Sequence, residues 1–400
     1  MALFDKFNKL AQERTALIQA EPSPFGTRID EIYTPTEGRI GQWRVVLAGT
    51  NNYLGLTFDA ECIKAAQQAL EHEGTGTTGS RMANGSYGSH MALEEELGDF
   101  FQRRSVIVFS TGYLANLGII GTLAGPDDIV LLDADCHASI YDACRMGGAQ
   151  VIRFRHNDAA DLEKRMLRLG EKARDAIIIV EGIYSMMGDQ APLNEIVEIK
   201  RRLGGYLLVD EAHSVGVLGA NGRGLAEELG VEDEVDVILG TFSKSLGAIG
   251  GFAASQHAEF DLLRYASRPY IFTASPSPSV IASVRTALRS LRTRPELRTQ
   301  LWDNARQLHK GLSALGYRVS SRPSPVIPVM LGSPKEGVAF WEALIEQGVY
   351  VNLVLPPASP NGDALVRCSV SAAHTPKQID QIIAAFATLR DVFSTAAQVS

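Results

Sequence analysis

The chain has 400 residues, of which 45% are hydrophobic, 21% charged and 7% aromatic, a balance that excludes whole-chain disorder and gives length enough for two or more lobes. Lysine plus arginine is 38 against 46 for aspartate plus glutamate, a net charge of −8, and with no dense basic block nucleic acid is excluded as a partner. The four cysteines, Cys62, Cys136, Cys144 and Cys368, stand at irregular separations with no C-x-x-C pair, so neither a zinc centre nor a disulfide framework is expected and a reducing, cytoplasmic setting fits.

The N-terminal stretch MALFDKFNKLAQERTALIQA has an amphipathic helical pattern broken by charge every few residues, unlike a secretory signal. No run approaches the roughly 18 apolar residues of a spanning helix, so only peripheral contact, as with the inner membrane surface, is left open. A helical pattern over Ile63 to His72 leads into Gly74-Thr-Gly-Thr-Thr-Gly79, which matches G-x-G-x-x-G but opens no β-α-β unit. The dinucleotide context is therefore missing, although such a loop lets backbone approach a ligand or a neighbouring subunit closely.

Between Ser105 and Ala254, short β-branched runs alternate with helical-period segments: SVIVFS, DIVLLD, AQVIRF, AIIIVEG, GYLLVD, VDVILG and GGFAAS are the strand candidates. This pattern predicts an α/β fold with a large, mostly parallel sheet covered by helices on both faces. The near-continuous apolar runs Ile177 to Val180 and Leu207 to Val209 suit strands buried on both sides. Ligands of open α/β sheets sit beyond the carboxyl ends of the strands, so Ser110, Asp133, Glu181, Asp210 and Thr241 are candidates to line one site. After Tyr270 come helical stretches at Ser277 to Leu291 and Pro295 to Leu315. Strands follow around Val326 to Leu331 and Leu365 to Val370, with a turn-rich loop over Leu355 to Asp363. The expected division is an N-terminal helix and arm over 1–45, a large α/β domain over 46–274 and a smaller α+β domain over 275–400.

Asp133-Ala-Asp135-Cys-His137 and Asp210-Glu211-Ala-His213 each set acids and a histidine after a buried strand, which leaves a metallohydrolase open. Neither has the i, i+4 histidine pair of a helix-borne zinc site and no third strong ligand appears, so no metal is assigned. Lys244 follows the strand VDVILG among small and apolar neighbours, where a desolvated amine can form a Schiff base with an aldehyde. Asp210 ends the preceding strand, His213 lies three residues on, and Ser110-Thr-Gly-Tyr113 makes a strand-to-helix turn whose amides can hold a phosphate. An aldimine lysine, a carboxylate for a ring nitrogen and a phosphate cup together ask for pyridoxal 5'-phosphate.

In order along residues 30–380, the strings GTNNYLGLTFD, GTGTTGSRMANGSY, FSTGYLANLG, DADCHASIYD, EGIYSMMGD, LLVDEAHSVGVLG and GTFSKSLGAIGGF resemble the α-oxoamine synthases. These are pyridoxal-phosphate enzymes of the aspartate-aminotransferase-like fold, fold type I. Within that family RFRHND, RPYIFTAS and VRCSVSAAHTP most resemble the bacterial serine palmitoyltransferase branch. The resemblance implies condensation of L-serine with a long-chain acyl-CoA, with loss of coenzyme A and carbon dioxide, to give 3-ketodihydrosphingosine. It implies that Lys244 carries the cofactor and moves the Cα proton, that Asp210 pairs with the ring nitrogen, that His213 lies against the phenolic oxygen and that His137 stacks on the ring. Gly112, Tyr113, Thr241 and Ser243 are implied phosphate contacts, joined by Thr273 from a second subunit, so a homodimer with active sites at the subunit interface follows. Ser185 is implied near the phenolic oxygen, and Arg367, helped by Asn52 and Tyr53, at the amino-acid carboxylate, which a guanidinium grips through two parallel bonds. Enzymes of the 8-amino-7-oxononanoate synthase or glycine C-acetyltransferase type share almost all these residues and stay open as alternatives. Two strings depart from the family: Thr273-Ala-Ser275-Pro-Ser-Pro278 replaces the common T-A-S-L-P-P, and Asn352-Leu-Val-Leu355 offers no arginine beside Arg367.

Overall fold

A computed structural model describes residues 3–17, 23–356, 358–359 and 362–397. In chain order, three short strands come first: β1 (Glu31–Thr34), β2 (Glu37–Ile40) and β3 (Trp43–Leu47). Seven follow: β4 (Ser105–Phe109), β5 (Ile129–Asp133), β6 (Gln150–Phe154), β7 (Ile177–Glu181), β8 (Tyr206–Asp210), β9 (Val237–Thr241) and β10 (Gly251–Ser255). Then come β11 (Val326–Met330), β12 (Val349–Tyr350), β13 (Asn352–Val354) and β14 (Leu365–Ser369). All seven strand candidates between Ser105 and Ser255 are therefore strands.

Those seven make one sheet in the order β4-β10-β9-β8-β7-β5-β6. The pairs β5/β6, β5/β7, β7/β8 and β8/β9 are parallel, while β10 runs antiparallel to both β4 and β9. Parallel strands need long crossovers, and helices supply them: Gly112–Leu123 follows β4, Ala138–Gly147 follows β5, Ala159–Leu169 follows β6 and Leu193–Leu203 follows β7. Covered on both faces, Ile178, Ile179 and Val180 of β7 and Val209 of β8 are 0% exposed, each stabilising the sheet by roughly 1.5–3 kcal/mol of apolar burial. Because the register pairs Glu181 with Asp210, and Asp210 with Leu239 just short of Thr241, the polar strand ends come out side by side.

By contacts the chain divides into two units, Met1–Asn51 with Met186–Gly188 and Gln300–Ser400, and Asn52–Ser185 with Asp189–Thr299. The second holds the large sheet. The helix Pro278–Thr293, which the sequence reading places in the C-terminal domain, packs on Ala60–Glu73 and Gly88–Phe101 within the larger unit. Ile281, Val284, Leu288 and Leu291 are buried there, and the division by contacts falls at 299/300. The smaller unit has two sheets, β1-β2-β3-β12 and β11-β14-β13. The first was not foreseen: β1 is exposed along its whole length, and β12 contributes two residues that join β3 from far along the chain.

All four cysteines are free and buried. Among the described residues no helix is long and apolar enough to cross a membrane. The N-terminal pattern is helical over Asn8–Leu17, and Pro357, Pro360 and Asn361 of the turn-rich loop lie outside the described residues.

Candidate active site

A cavity of about 360 Å³ opens at the carboxyl ends of β7, β8 and β9, in the larger unit. One wall is the start of the helix Gly112–Leu123, where Thr111 caps the first turn by accepting from the Leu114 N–H at 3.0 Å. That helix end is pressed close to β9: a Cβ added to Gly112 would meet Thr241 Cβ and Oγ1 at 2.9 Å. Only glycine fits, and the result is a cradle of backbone amides at a positive helix end, faced by the hydroxyls of Thr241 and Ser243, which lie 2.9 Å apart. Thr241 Oγ1 also donates to the Gly250 carbonyl at 2.9 Å, fixing the cradle to the turn before β10.

Opposite the cradle stand the acids. Asp210 is 6% exposed, and its carboxylate accepts from the Asn116 amide at 2.8 Å and from the Ala212 N–H at 3.0 Å. Its neighbour Glu181 is buried, and burial together with the charge of Asp210 pushes its carboxyl well above the ordinary range. The Glu181 carboxyl accepts from the backbone N–H of His137. His137 caps the helix Ala138–Gly147, its Nδ1 accepting from the Ser139 N–H at 3.2 Å. Burial lowers the His137 pKa, Asp210 opposes that shift and the charge of Lys244 adds to it. His213 lines the same cavity and its Nδ1 lies 2.7 Å from the Tyr53 hydroxyl.

Of the residues named from sequence, Gly112, Tyr113, His137, Asp210, His213, Thr241, Ser243 and Lys244 line this one cavity. Tyr113 is half-exposed, its hydroxyl donates to Asp142, and its ring meets His137 edge-on at 6.4 Å. Ser185 is half-buried and not among the lining residues. Thr273 lines a separate small recess with Arg81 and Ser110. Asn52 is buried, donating from Nδ2 to Thr57 at 2.7 Å while its Oδ1 has no partner. Arg367 belongs to the smaller unit, on β14, where it is 5% exposed and donates to Asn51 Oδ1 at 3.1 Å.

Asn116 and Ser139 were missed. Asn116 is the one amide inside the otherwise apolar helix GYLANLGIIGTL, and that buried polar position was the available signal. Two acids of the supposed metal clusters have other work: Asp133 accepts from His156 at 2.8 Å, and Glu211 accepts from the Leu225 and Ala226 N–H groups at 2.9 and 3.0 Å. Among the described residues no cluster of histidine, cysteine and acids suits a metal ion. A second cavity of about 340 Å³ lies at the amino ends of β7, β8 and β9 and offers mainly apolar walls, including Ile177, Leu208 and Phe260. The reactive groups are at the other end of the sheet.

The family described as aminotransferase class I and II matches residues 44–386. A serine palmitoyltransferase of Caulobacter vibrioides is 54% identical over 383 residues, 96% of this chain and 95% of that protein. A putative 8-amino-7-oxononanoate synthase of Desulforudis audaxviator is 42% identical over 346 residues, 86% of this chain and 89% of that protein. A solved serine palmitoyltransferase from S. paucimobilis, an alanine variant with a bound PLP-myriocin aldimine, superposes with a TM-score of 0.96 at 46% identity, over 99% of this chain and 100% of that one.

Proposed function

The chain belongs to the aminotransferase class I and II family, and from that premise we propose that it is a pyridoxal-phosphate-dependent acyltransferase joining L-serine to a long-chain acyl-CoA. The products are 3-ketodihydrosphingosine, coenzyme A and carbon dioxide. The observation that carries the reading is the convergence of Lys244, Asp210, His137 and His213 on one cavity beside an amide cradle. The identity to serine palmitoyltransferases supports the choice of substrates. The cavity suits the cofactor in kind: the crowding at Gly112 leaves amides and hydroxyls, not side-chain bulk, facing a phosphate, and Asp210 is bonded there only through neutral donors.

When bound, pyridoxal phosphate accepts the electron pair left on the amino acid's Cα. In this reading Lys244 would anchor the cofactor through Nζ and would serve as the base for the Cα proton of serine. Asp210 holds negative charge at the ring nitrogen, and its burial keeps that charge strong. Gly112, Tyr113, Thr241 and Ser243 would hold the phosphate, His213 and, by the family resemblance, Ser185 would serve the phenolic oxygen, and His137 would orient the ring. For the serine carboxylate, the family resemblance points to Arg367, Asn52 and Tyr53. The separate position of Thr273 in one chain supports a homodimer in which it serves a second copy's site. The reaction is assigned to the cytoplasm, with contact to the inner membrane confined to its surface.

The test is mass spectrometry of the product formed from a mixture of serine, alanine and glycine with acyl thioesters of several lengths. A serine-derived long-chain ketone is expected; an alanine- or glycine-derived product from a short thioester would replace this reading with the 8-amino-7-oxononanoate synthase or glycine C-acetyltransferase type.

A further inference from the structure

We propose that Asn116 and Ser139 are positioning residues that hold His137 as the tautomer protonated at Nε2 and couple its orientation to the carboxylate of Asp210. The argument is one of donors and acceptors in a closed network. The Ser139 backbone N–H, which can only donate, lies 3.2 Å from His137 Nδ1, a long bond that favours an unprotonated Nδ1 and leaves the shorter contact with the Ser139 hydroxyl to hold it so. The Asp210 carboxylate only accepts, so Asn116 must turn its amide nitrogen, not its oxygen, toward Oδ2 at 2.8 Å. The same nitrogen donates its second proton to Ser139 Oγ at 2.8 Å. Having accepted there, the Ser139 hydroxyl directs its own proton to His137 Nδ1 at 2.7 Å.

Asn116 is 4% exposed and Ser139 1%, so water does not compete for these bonds. The one ring proton left to His137 is on Nε2, at the end of the imidazole not engaged by the helix. The charged and aromatic groups that act on this ring are Asp210 from β8, Lys244 after β9 and Tyr113 from the helix Gly112–Leu123, while Glu181 from β7 accepts from the His137 backbone N–H. Both positioning residues act through His137 and Asp210.

The test is nitrogen NMR of the full-chain holoenzyme labelled in its imidazoles, the His137 signals being identified by their loss in His137→Gln. The native protein is expected to show an unprotonated Nδ1 and a protonated Nε2. Ser139→Ala should mix the tautomers and move the His137 titration upward, because a donor that favours the neutral ring is gone, and Asn116→Leu should do the same. Turnover in Ser139→Ala should fall roughly three- to tenfold, the scale of one neutral hydrogen bond, with KM for serine changed less than kcat. Ser139→Thr keeps the hydroxyl and should restore the native nitrogen signature. An unaltered signature and titration in Ser139→Ala, or a threonine variant that behaves like alanine, would overturn the proposal. The effect on turnover rests on the proposed reaction, but the nitrogen signature does not: an unexpected product with the signature intact would unseat the substrate assignment alone.

Discussion

Single side chains at the strand ends carry the sharpest expectations. Lys244→Ala should leave a folded protein that neither shows the cofactor-linked absorbance nor turns over, a loss of roughly 10²–10⁴-fold or more for a proton-transfer group. Retained activity in that variant would remove the lysine from the mechanism. Asp210→Asn keeps the shape and the contact with Asn116 but loses the charge, so turnover should fall by about 10²–10³-fold while cofactor content changes little. Away from the cavity, His156 lies between Asp133 at 2.8 Å and Asp189 at 2.7 Å. Burial alone would lower its pKa, but the two carboxylates outweigh that and push it up to about 10. A raised cation of this kind stabilises the fold fully below its unfolded value of 6.5, progressively less as the pH rises, and no longer once the pH passes about 10. Urea unfolding across that window should show the decline in the native protein and its absence in His156→Asn. Asp210 at the end of β8, and Lys244, His213 and His137 within a few residues of the ends of β9, β8 and β5, were legible in the sequence as lining residues because apolar runs give those strands away. The Asn116–Ser139–His137 chain was not, since Asn116, the His137–Ser139 turn and the Asp210 acceptor come from three places that only the fold brings together.

At the scale of elements, the helix Gly112–Leu123 is the working part. Thr111→Ala removes its cap and should cost about 1 kcal/mol of stability, measured as a lower urea midpoint, whereas Thr111→Ser should recover most of it. Gly112→Ala places a methyl 2.9 Å from Thr241, so the strand and helix must part and the phosphate cradle opens. Faster loss of cofactor absorbance on dialysis is the expected result, with far-UV circular dichroism unchanged. The seven strands of the large sheet were readable because buried parallel strands are written as continuous β-branched runs. The strand β1, exposed throughout, and the two-residue β12 owe their existence to pairing with β2 and β3 rather than to their own composition, which local pattern does not contain. The helix Pro278–Thr293 was readable in sequence, but its partners, Ala60–Glu73 and Gly88–Phe101, lie some two hundred residues earlier, where no local pattern points.

For the whole molecule, a site made by the ends of several strands and one helix binds its cofactor only when folded. Added pyridoxal phosphate should therefore raise the thermal midpoint in proportion to the logarithm of its concentration, and Lys244→Ala should blunt that gain. Every one of the chain's sulfhydryls is shut away, and burial pushes Cys62 and Cys368 up to about 12 and Cys144 up to about 11. A disulfide dye added to the native enzyme should consequently find nothing to react with, and each equivalent it consumes marks a molecule that has opened. The protein thus carries its own clock for unfolding, readable by eye and needing no engineered label.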